Sequence, residues 1–453
     1  MKLREYQVNM TNETRNHFLS GIRCVLNQSP TGSGKTLLTA SMLKTAMERG
    51  IPSIFICHRR ELIKQTHIAF NELNVYHGII GAGFHFSPRP MVQIASIQTL
   101  KNKLHMIRKP GLVVFDECHH LSAKSWTKVY DAFPEAYIIG LTATPQRLDG
   151  SGLGKYFPVM VHGPSVQSLI DQGYLSKYKI YAPANVDISK VHTRMGDFVT
   201  SELSAAIDKP TITGDAIKEY QKYANGKRAI VRGVSIEHSK HIAKQFCEAG
   251  IPAQHVDGTT PDNIRDIAME SFRRGDTLVL SNVDLFSEGL DVPAVECVID
   301  LRPTKSLILW LQFCGRALRP HPGKEHAIII DHASNAARHG FPCDDRTWDL
   351  EGREKKPKED NGPMIRLCPK CFGANQNWRK VCQYCATAFI VQSREVDKKD
   401  GELAEIDIIK MRRERMKKQG QCRTLADLIE FGKEQGYSKP YWWAKKVMEA
   451  RDL

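Results

Sequence analysis

Cys24-Val25-Leu26, followed by Ser29-Pro30-Thr31-Gly32-Ser33-Gly34-Lys35-Thr36, is the stretch that decides the fold. An apolar run leads into a turn with two glycines, and Lys-Thr then opens a helix-like segment reaching Arg49. That strand–loop–helix order is the context a P-loop requires. Glycine lets the backbone curl until successive N–H groups and the helix N-terminus face one point, where an anion is favoured. Thr31 to Gly34 would cradle phosphates, Lys35 would reach the β- and γ-phosphates, and the Thr36 hydroxyl would bind magnesium. Ser29 stands where the strict motif has glycine. A plain strand–helix turn with no ligand is the competing reading.

Working outward, short apolar runs alternate with helix-like stretches. Ser53–Cys57, Val92–Ala95, Leu112–Phe115 and Tyr137–Leu141 read as buried strands, and Arg60–Leu73 as a helix. A second series has strands at Arg228–Val231, Ala253–Val256, Thr277–Leu280, Cys297–Asp300 and Ala327–Ile330. Strand–helix alternation implies parallel sheets covered on both faces. The stretch Val186–Gly226 lacks strand alternation and reads as a helical connector. Two α/β units are expected at 1–170 and 171–345, joined near Gly163 to Ala184, with a charged linker from Glu351 to Pro363.

The chain has 453 residues and a formal net charge of +14. That excess favours a polyanionic partner. Residues 351–453 hold 23 Lys and Arg against 16 Asp and Glu, so half of the excess lies in under a quarter of the chain. The N-terminus has no apolar signal region and no run is long enough to span a bilayer, so a cytoplasmic protein is expected. In that setting twelve cysteines read as thiols or metal ligands.

Asp116-Glu117-Cys118-His119 closes the strand Leu112–Phe115, about 80 residues after the P-loop. At that place Asp116 would hold magnesium through water, and Glu117 would orient and deprotonate an attacking water. Cys368-Pro369-Lys370-Cys371 and Cys382-Gln383-Tyr384-Cys385 are two Cys-x-x-Cys knuckles ten residues apart. Four thiolates at this spacing can close on a structural zinc, although ribbon types leave a longer gap of about 15 to 20 residues. No acidic residue lies between Asn361 and Ser393, where Trp378, Phe372 and Tyr384 interleave with Arg366, Lys370, Arg379 and Lys380. This reads either as a nucleic-acid surface or as a knuckle whose aromatics make its own small core. The basic run Arg412–Lys418 reads as an electrostatic arm or a solvated helix face. Trp442 and Trp443 read as a wedge or as packing residues.

The paired motifs resemble superfamily 2 helicases of the DExH type. Leu3-Arg4-Glu5-Tyr6-Gln7 is similar to the adenine-recognising segment, which implies roles for Arg4 and Gln7. Cys57–Leu62 and Ser96–Leu100 resemble strand-contacting motifs, which implies nucleic-acid contacts from Arg59, Arg60 and Thr99. Leu141-Thr142-Ala143-Thr144-Pro145 resembles the motif coupling hydrolysis to lobe movement. Ser287–Pro293 resembles one that touches both nucleotide and nucleic acid, through Gly289 and Asp291. Gln312–Arg319 resembles the arginine-finger motif, which implies catalytic roles for Gln312, Arg316 and Arg319. The cysteine knuckle and the compact size are similar to RadD-like repair helicases and to phage branch-migration DNA helicases.

The resemblance implies an α/β protein: two tandem RecA-like parallel-sheet lobes, a four-cysteine zinc knuckle (362–392) and a basic helical C-terminal tail (393–453). It implies ATP, magnesium and zinc as ligands. The implied activity is ATP-driven, sequence-independent remodelling of forked, branched or single-stranded DNA, possible alongside replication or recombination proteins. An RNA helicase, a restriction-type motor subunit and a non-catalytic scaffold are the alternatives left open.

Overall fold

In the computed structural model, residues 3–147, 150–182, 193–194, 197–198, 210–285, 295–352, 365–376, 378–389, 422, 424–434 and 440–449 are described. Chain contacts divide it into two compact units, Met1–Ile390 and Val391–Leu453. No helix among the described residues is long and apolar enough to cross a membrane.

The first lobe opens with α1 (Glu5–Leu19) and β1 (Cys24–Gln28). Then come α2 (Lys35–Glu48), β2 (Ser53–Cys57), α3 (Arg60–Glu72), β3 (His77–Ile80) and β4 (Val92–Ser96). The lobe continues with α4 (Ile97–Leu100), β5 (Leu112–Asp116), α5 (Lys124–Asp131), β6 (Tyr137–Thr142) and β7 (Val159–His162). The seven strands form one parallel sheet in the order β3-β4-β2-β5-β6-β1-β7. β2 is buried along its whole length, as a strand covered on both faces must be. Its side chains divide between two cores, Phe55 on one face and Ile54 and Ile56 on the other.

After α6 (Val166–Asp171), the second lobe contains β8 (Tyr178–Tyr181), β9 (Thr193–Arg194), β10 (Asp197–Phe198) and α7 (Pro210–Tyr223). β11 (Ala229–Arg232), α8 (Ile236–Glu248), β12 (Ala253–His255), α9 (Asp262–Arg274) and β13 (Val279–Asn282) follow. β14 (Cys297–Asp300), α10 (Leu307–Ala317), β15 (Ala327–Asp331) and α11 (Asn335–His339) complete it. Its six-stranded parallel sheet has the order β12-β13-β11-β14-β15-β8. Both are the RecA-like lobes expected.

Three details differ from the sequence expectation. β3, β7 and β8 carry no long apolar run, and all three are edge strands, buried on fewer sides. α6 straddles the expected boundary at 170, inside the join expected near Gly163 to Ala184, and its Leu169 and Ile170 pack in the second lobe's core. The connector 186–226 holds the short antiparallel pair β9–β10, not helix alone. Hydrogen bonds hold that pair in place of alternating apolar contacts: Asp197 accepts from Thr304 Oγ1 (2.9 Å) and from Lys305 N (2.7 Å). The expected linker also begins as a strap on the first lobe. Gly154 N donates to Leu350 O at 2.7 Å, and Ser151 bridges Gly352.

The cysteine knuckle adds a small hairpin of β16 (Ile365–Leu367) and β17 (Ala374–Gln376). It docks on edge strand β8. The Ile180 N–H donates to Tyr384 Oη (3.2 Å), Tyr223 Oη donates to Cys371 O (3.0 Å), and Tyr181 bridges Gly373. In the second unit, α12 (Leu425–Glu434) and α13 (Pro440–Glu449) pair, with Leu428 and Ala444 buried. Trp443 packs against Phe431, which favours the packing reading for that residue. Arg412–Lys418 lies outside the described residues, as does the side chain of Trp442.

A buried ion pair fixes the second lobe. Arg232 donates to both carboxylate oxygens of Asp300, at 2.9 and 2.6 Å, and both side chains are fully buried. Asn335 Nδ2 donates to the same carboxylate, and the Arg232 guanidinium lies 4.6 Å from the Phe313 ring centre on α10. Removing one partner strands a buried charge, which costs about 3–5 kcal/mol. Asp300→Asn should therefore lower the unfolding free energy of the second lobe in urea by about 3–5 kcal/mol, with faster amide exchange in β11 and β14.

Candidate nucleotide site and strand-facing surface

The P-loop is braced from inside. Ser29, where glycine is usual, donates its hydroxyl to Ser33 Oγ at 2.7 Å, so the departure from the motif adds a cross-link within the loop. Gly32 and Gly34 hold φ of +85° and +80°, the left-handed region that favours glycine. Gly34 is thereby the N-cap of α2, and Lys35 and Thr36 occupy its first turn. Lys35 Nζ folds over the loop and donates to Ser29 O (3.1 Å) and Pro30 O (3.4 Å).

The N-terminal segment grips the same loop. Gln7 is buried, its Nε2 donating to Ser33 O and Gly34 O, both at 3.2 Å. Its Oε1 accepts from Arg4 N at 2.9 Å. Tyr6 Oη donates to Ser33 O, and Arg4 stacks 4.0 Å from the ring centre of Tyr174. Tyr6 and Tyr174 were not singled out from the sequence. No local signal announces Tyr174, which arrives from the far side of the fold.

Asp116 ends β5 facing the loop. Burial, with Glu117 next to it, pushes its carboxyl up to about 6, and Lys35 and His58 partly offset this. Two adjacent acids in a desolvated pocket fit a divalent cation, which would favour their charged form. Glu117 is buried with φ +49°, a strained backbone for a non-glycine residue. Its Oε2 lies 3.3 Å from His119 Nδ1, which lies 3.3 Å from Thr142 Oγ1. Thr142 Oγ1 in turn donates to Thr144 O at 2.9 Å. A polar chain thus links the acid pair to the Thr142–Pro145 turn.

The opposite wall is α10. A Cβ placed on Gly315 would lie 2.7 Å from Thr31 Cβ, and one on Gly32 would lie 3.7 Å from Arg319 Cγ. The helix therefore packs closely on the Thr31 side chain of the P-loop. Arg316 is buried at this seam. Burial pushes the Arg319 guanidinium down to about 10, the response expected of a desolvated cation. Gln312 is buried, and neither of its amide atoms has a hydrogen-bond partner among the described residues. Lys324 was not expected to contribute. It caps the end of α10, donating to Arg319 O and Val295 O at 2.8 Å and also to Ala317 O. Gly289 and Asp291 lie outside the described residues.

With both walls in place, the comparisons acquire meaning. Residues 1–147 match the family model "Type III restriction enzyme, res subunit", and residues 211–321 match "Helicase conserved C-terminal domain". A 51.5 kDa protein of a Lactococcus phage (isolate 7-9) is 38% identical over 392 residues, covering 86% of this chain and 83% of that one. The chain belongs to the superfamily 2 helicases. The putative ATP-dependent helicase IRC3 of Saccharomyces cerevisiae is 28% identical over 73% of this chain, which spans only 51% of that relative's length. The DNA 3'-5' translocase XPB2 of Sulfurisphaera tokodaii is 27% identical, covering 67% of this chain and 76% of its own. The chain is an ATP-dependent nucleic-acid helicase.

In this helicase, two of the three residues expected on the nucleic acid are occupied across the lobes. Arg59 donates to Leu285 O (2.9 Å) and Asp284 O (3.4 Å). Arg60 pairs with Asp262, Glu61 with Arg265, and Lys64 with Asp266 at 3.0 Å. Positive, negative, positive on α3 thus meet their opposites on α9. Arg60 and Lys64 are over a third exposed, so these pairs are individually weak. Thr99 is half-buried on α4.

The four cysteines of the helicase's knuckle converge. Their sulfurs all lie within 4.8 Å of one another, with Cys368–Cys385 at 3.5 Å and Cys371–Cys382 at 3.6 Å. A tetrahedral zinc with bonds of about 2.3 Å needs sulfurs roughly 3.8 Å apart, so this donor set fits. Asn375 Nδ2 (3.5 Å) and Tyr384 N (3.4 Å) donate to Cys382 Sγ, which favours a thiolate.

The contact between Gly315 and Thr31 yields a sharp expectation. Alanine at 315 improves helix propensity but forces the two walls apart. Gly315→Ala should lower nucleic-acid-stimulated kcat by on the order of 10²-fold, as misplacement by about 1 Å does. The urea midpoint of the second lobe should not fall.

Proposed function

We propose that this helicase is a DNA motor that remodels forked or branched DNA, hydrolysing ATP at the seam between its lobes. The observation that carries the proposal is Gly315 seated on Thr31. It sets Gln312, Arg316 and Arg319 against the loop that bears Lys35. Such a seam needs both lobes for turnover, because an arginine finger is worth about 10³–10⁵ in rate.

The residues divide the work. Lys35 and the loop N–H groups hold the phosphates, and Glu117 takes the proton of the attacking water. Asp116 and Thr36 would hold magnesium, which when bound supplies charge neutralisation to the phosphates. Arg316 and Arg319 stabilise the charge on the transferring phosphoryl group, and the Gln312 amide finds its partner there. Arg4 and Gln7 position the loop from behind. Gly289 and Asp291 join from the second lobe, by family resemblance. Hydrolysis removes the anion shared by the two walls and lets them part. Arg59, Arg60 and Thr99 take phosphates of the strand in exchange for their present partners, so binding is independent of sequence and falls with salt.

DNA is favoured over RNA by the restriction-enzyme family match and by a relative named a DNA translocase. Lys35→Ala should cut DNA-stimulated hydrolysis by at least about 10²-fold while leaving the unfolding midpoint unchanged. Stimulation by a four-way junction, a partial duplex and RNA should be measured side by side. Strong stimulation by RNA with none by branched DNA would refute the substrate assignment.

We also propose that Cys368, Cys371, Cys382 and Cys385 hold one zinc that keeps the knuckle on β8. Atomic emission should find about one zinc per chain. Cys371→Ser should lose the metal and speed exchange of the Ile180 amide, which Tyr384 protects. A metal-free wild-type chain would refute this.

A further inference from the structure

The knuckle's four aromatic side chains have separate fates, and Phe389 is the one buried in its cluster. Tyr384 sits in the joint with β8. Phe372 is 42% exposed, with the Lys222 ammonium 5.2 Å from its ring centre. The knuckle's apolar cluster is Cys368, Cys382 and Phe389 with Cys371, Tyr384 and Cys385, and Trp378 takes no part in it. Trp378 is instead 73% exposed. The reading in which this indole builds a small core is therefore excluded.

What surrounds the indole is basic. The Arg379 guanidinium lies 5.1 Å from the ring centre and is held by its Nε bond to Gln376 Oε1 at 3.1 Å. Lys380 is exposed, and Val381 is 50% exposed. No carboxylate occurs in the sequence from 361 to 393. Arg379 also borders a groove of about 320 Å³ between knuckle and second lobe, whose lining holds one further cation, Lys177, and one carboxylate, Asp171. An exposed indole set among cations matches a chain of alternating π-faces and phosphates, because any base can stack and every linkage is an anion. A protein partner would need a wider apolar patch than one indole and one valine.

We propose that Trp378 is a stacking platform for a base of single-stranded DNA, with Arg379 and Lys380 on the flanking phosphates. The platform is rigid with the second lobe, because Tyr181, Tyr223 and Tyr384 lock the knuckle to β8. It travels with that lobe, giving the motor a grip on the strand outside the α3–α9 face. This inference rests on the DNA-motor reading above.

The test uses the full chain, zinc content and thermal midpoint matched between variants, with fluorescein-labelled oligothymidylate and a blunt DNA hairpin as probes. Trp378→Ala should weaken oligothymidylate binding at least about fivefold, leave hairpin binding unchanged, and keep the salt slope. Trp378→Phe should restore most of the affinity. Arg379→Gln and Lys380→Gln should each lower the slope of log K against log salt by about 0.7, which a purely structural role would not do. Trp378→Ala binding within about twofold of wild type, or losing the hairpin equally, overturns the platform. Loss of oligothymidylate affinity in Trp378→Ala, in a chain whose ATP hydrolysis no DNA stimulates, overturns the motor reading and upholds the platform.

Discussion

A helix without a side chain at one point lets a threonine of the phosphate loop pack against it. Gly315 meets Thr31 at a distance no Cβ tolerates, and that contact sets the register between the walls of the nucleotide site. The chemistry depends on it because phosphoryl transfer needs little covalent help. Position and charge carry it, and both decay steeply with misplacement. Both walls are desolvated: burial and the neighbouring Glu117 raise the Asp116 carboxyl, and burial lowers the Arg319 guanidinium. Anions and cations held back from water on facing surfaces are prepared for a ligand that bears both phosphate and metal.

Holding α10 there takes three devices behind it. Arg232 and Asp300 pin the helix from the sheet through the Phe313 ring. Lys324 closes its exposed carbonyls. The β9–β10 pair holds the turn before it through Asp197. The first and the third join residues far apart in sequence. Of the α3–α9 charge pairs, Arg60–Asp262 and Lys64–Asp266 are exposed and individually weak, whereas Glu61–Arg265 is largely buried.

The knuckle shows how a small module avoids needing a core of its own. Its cysteines fit one metal, and its remaining apolar surface is shared with β8. Ile365 and Ala374 belong to the second lobe's core. Relieved of packing duty, Trp378 can face solvent.

Spacing identified the P-loop, the Asp116-Glu117 pair and the four cysteines, and the resemblance to superfamily 2 helicases supplied the other motifs. Each depends on residues a few positions apart, where backbone geometry is predictable. The strands covered on both faces were equally legible, because they read as unbroken apolar runs. The edge strands β3, β7 and β8 were not, since an edge carries no such run. Tertiary structure alone decided which face of α10 meets the loop, that Tyr174 and Lys324 support the site, that Arg60 has an acidic partner, and that the Trp378 indole points outward. Those outcomes follow from long-range packing between surfaces, and a helical or basic pattern does not say what lies opposite it.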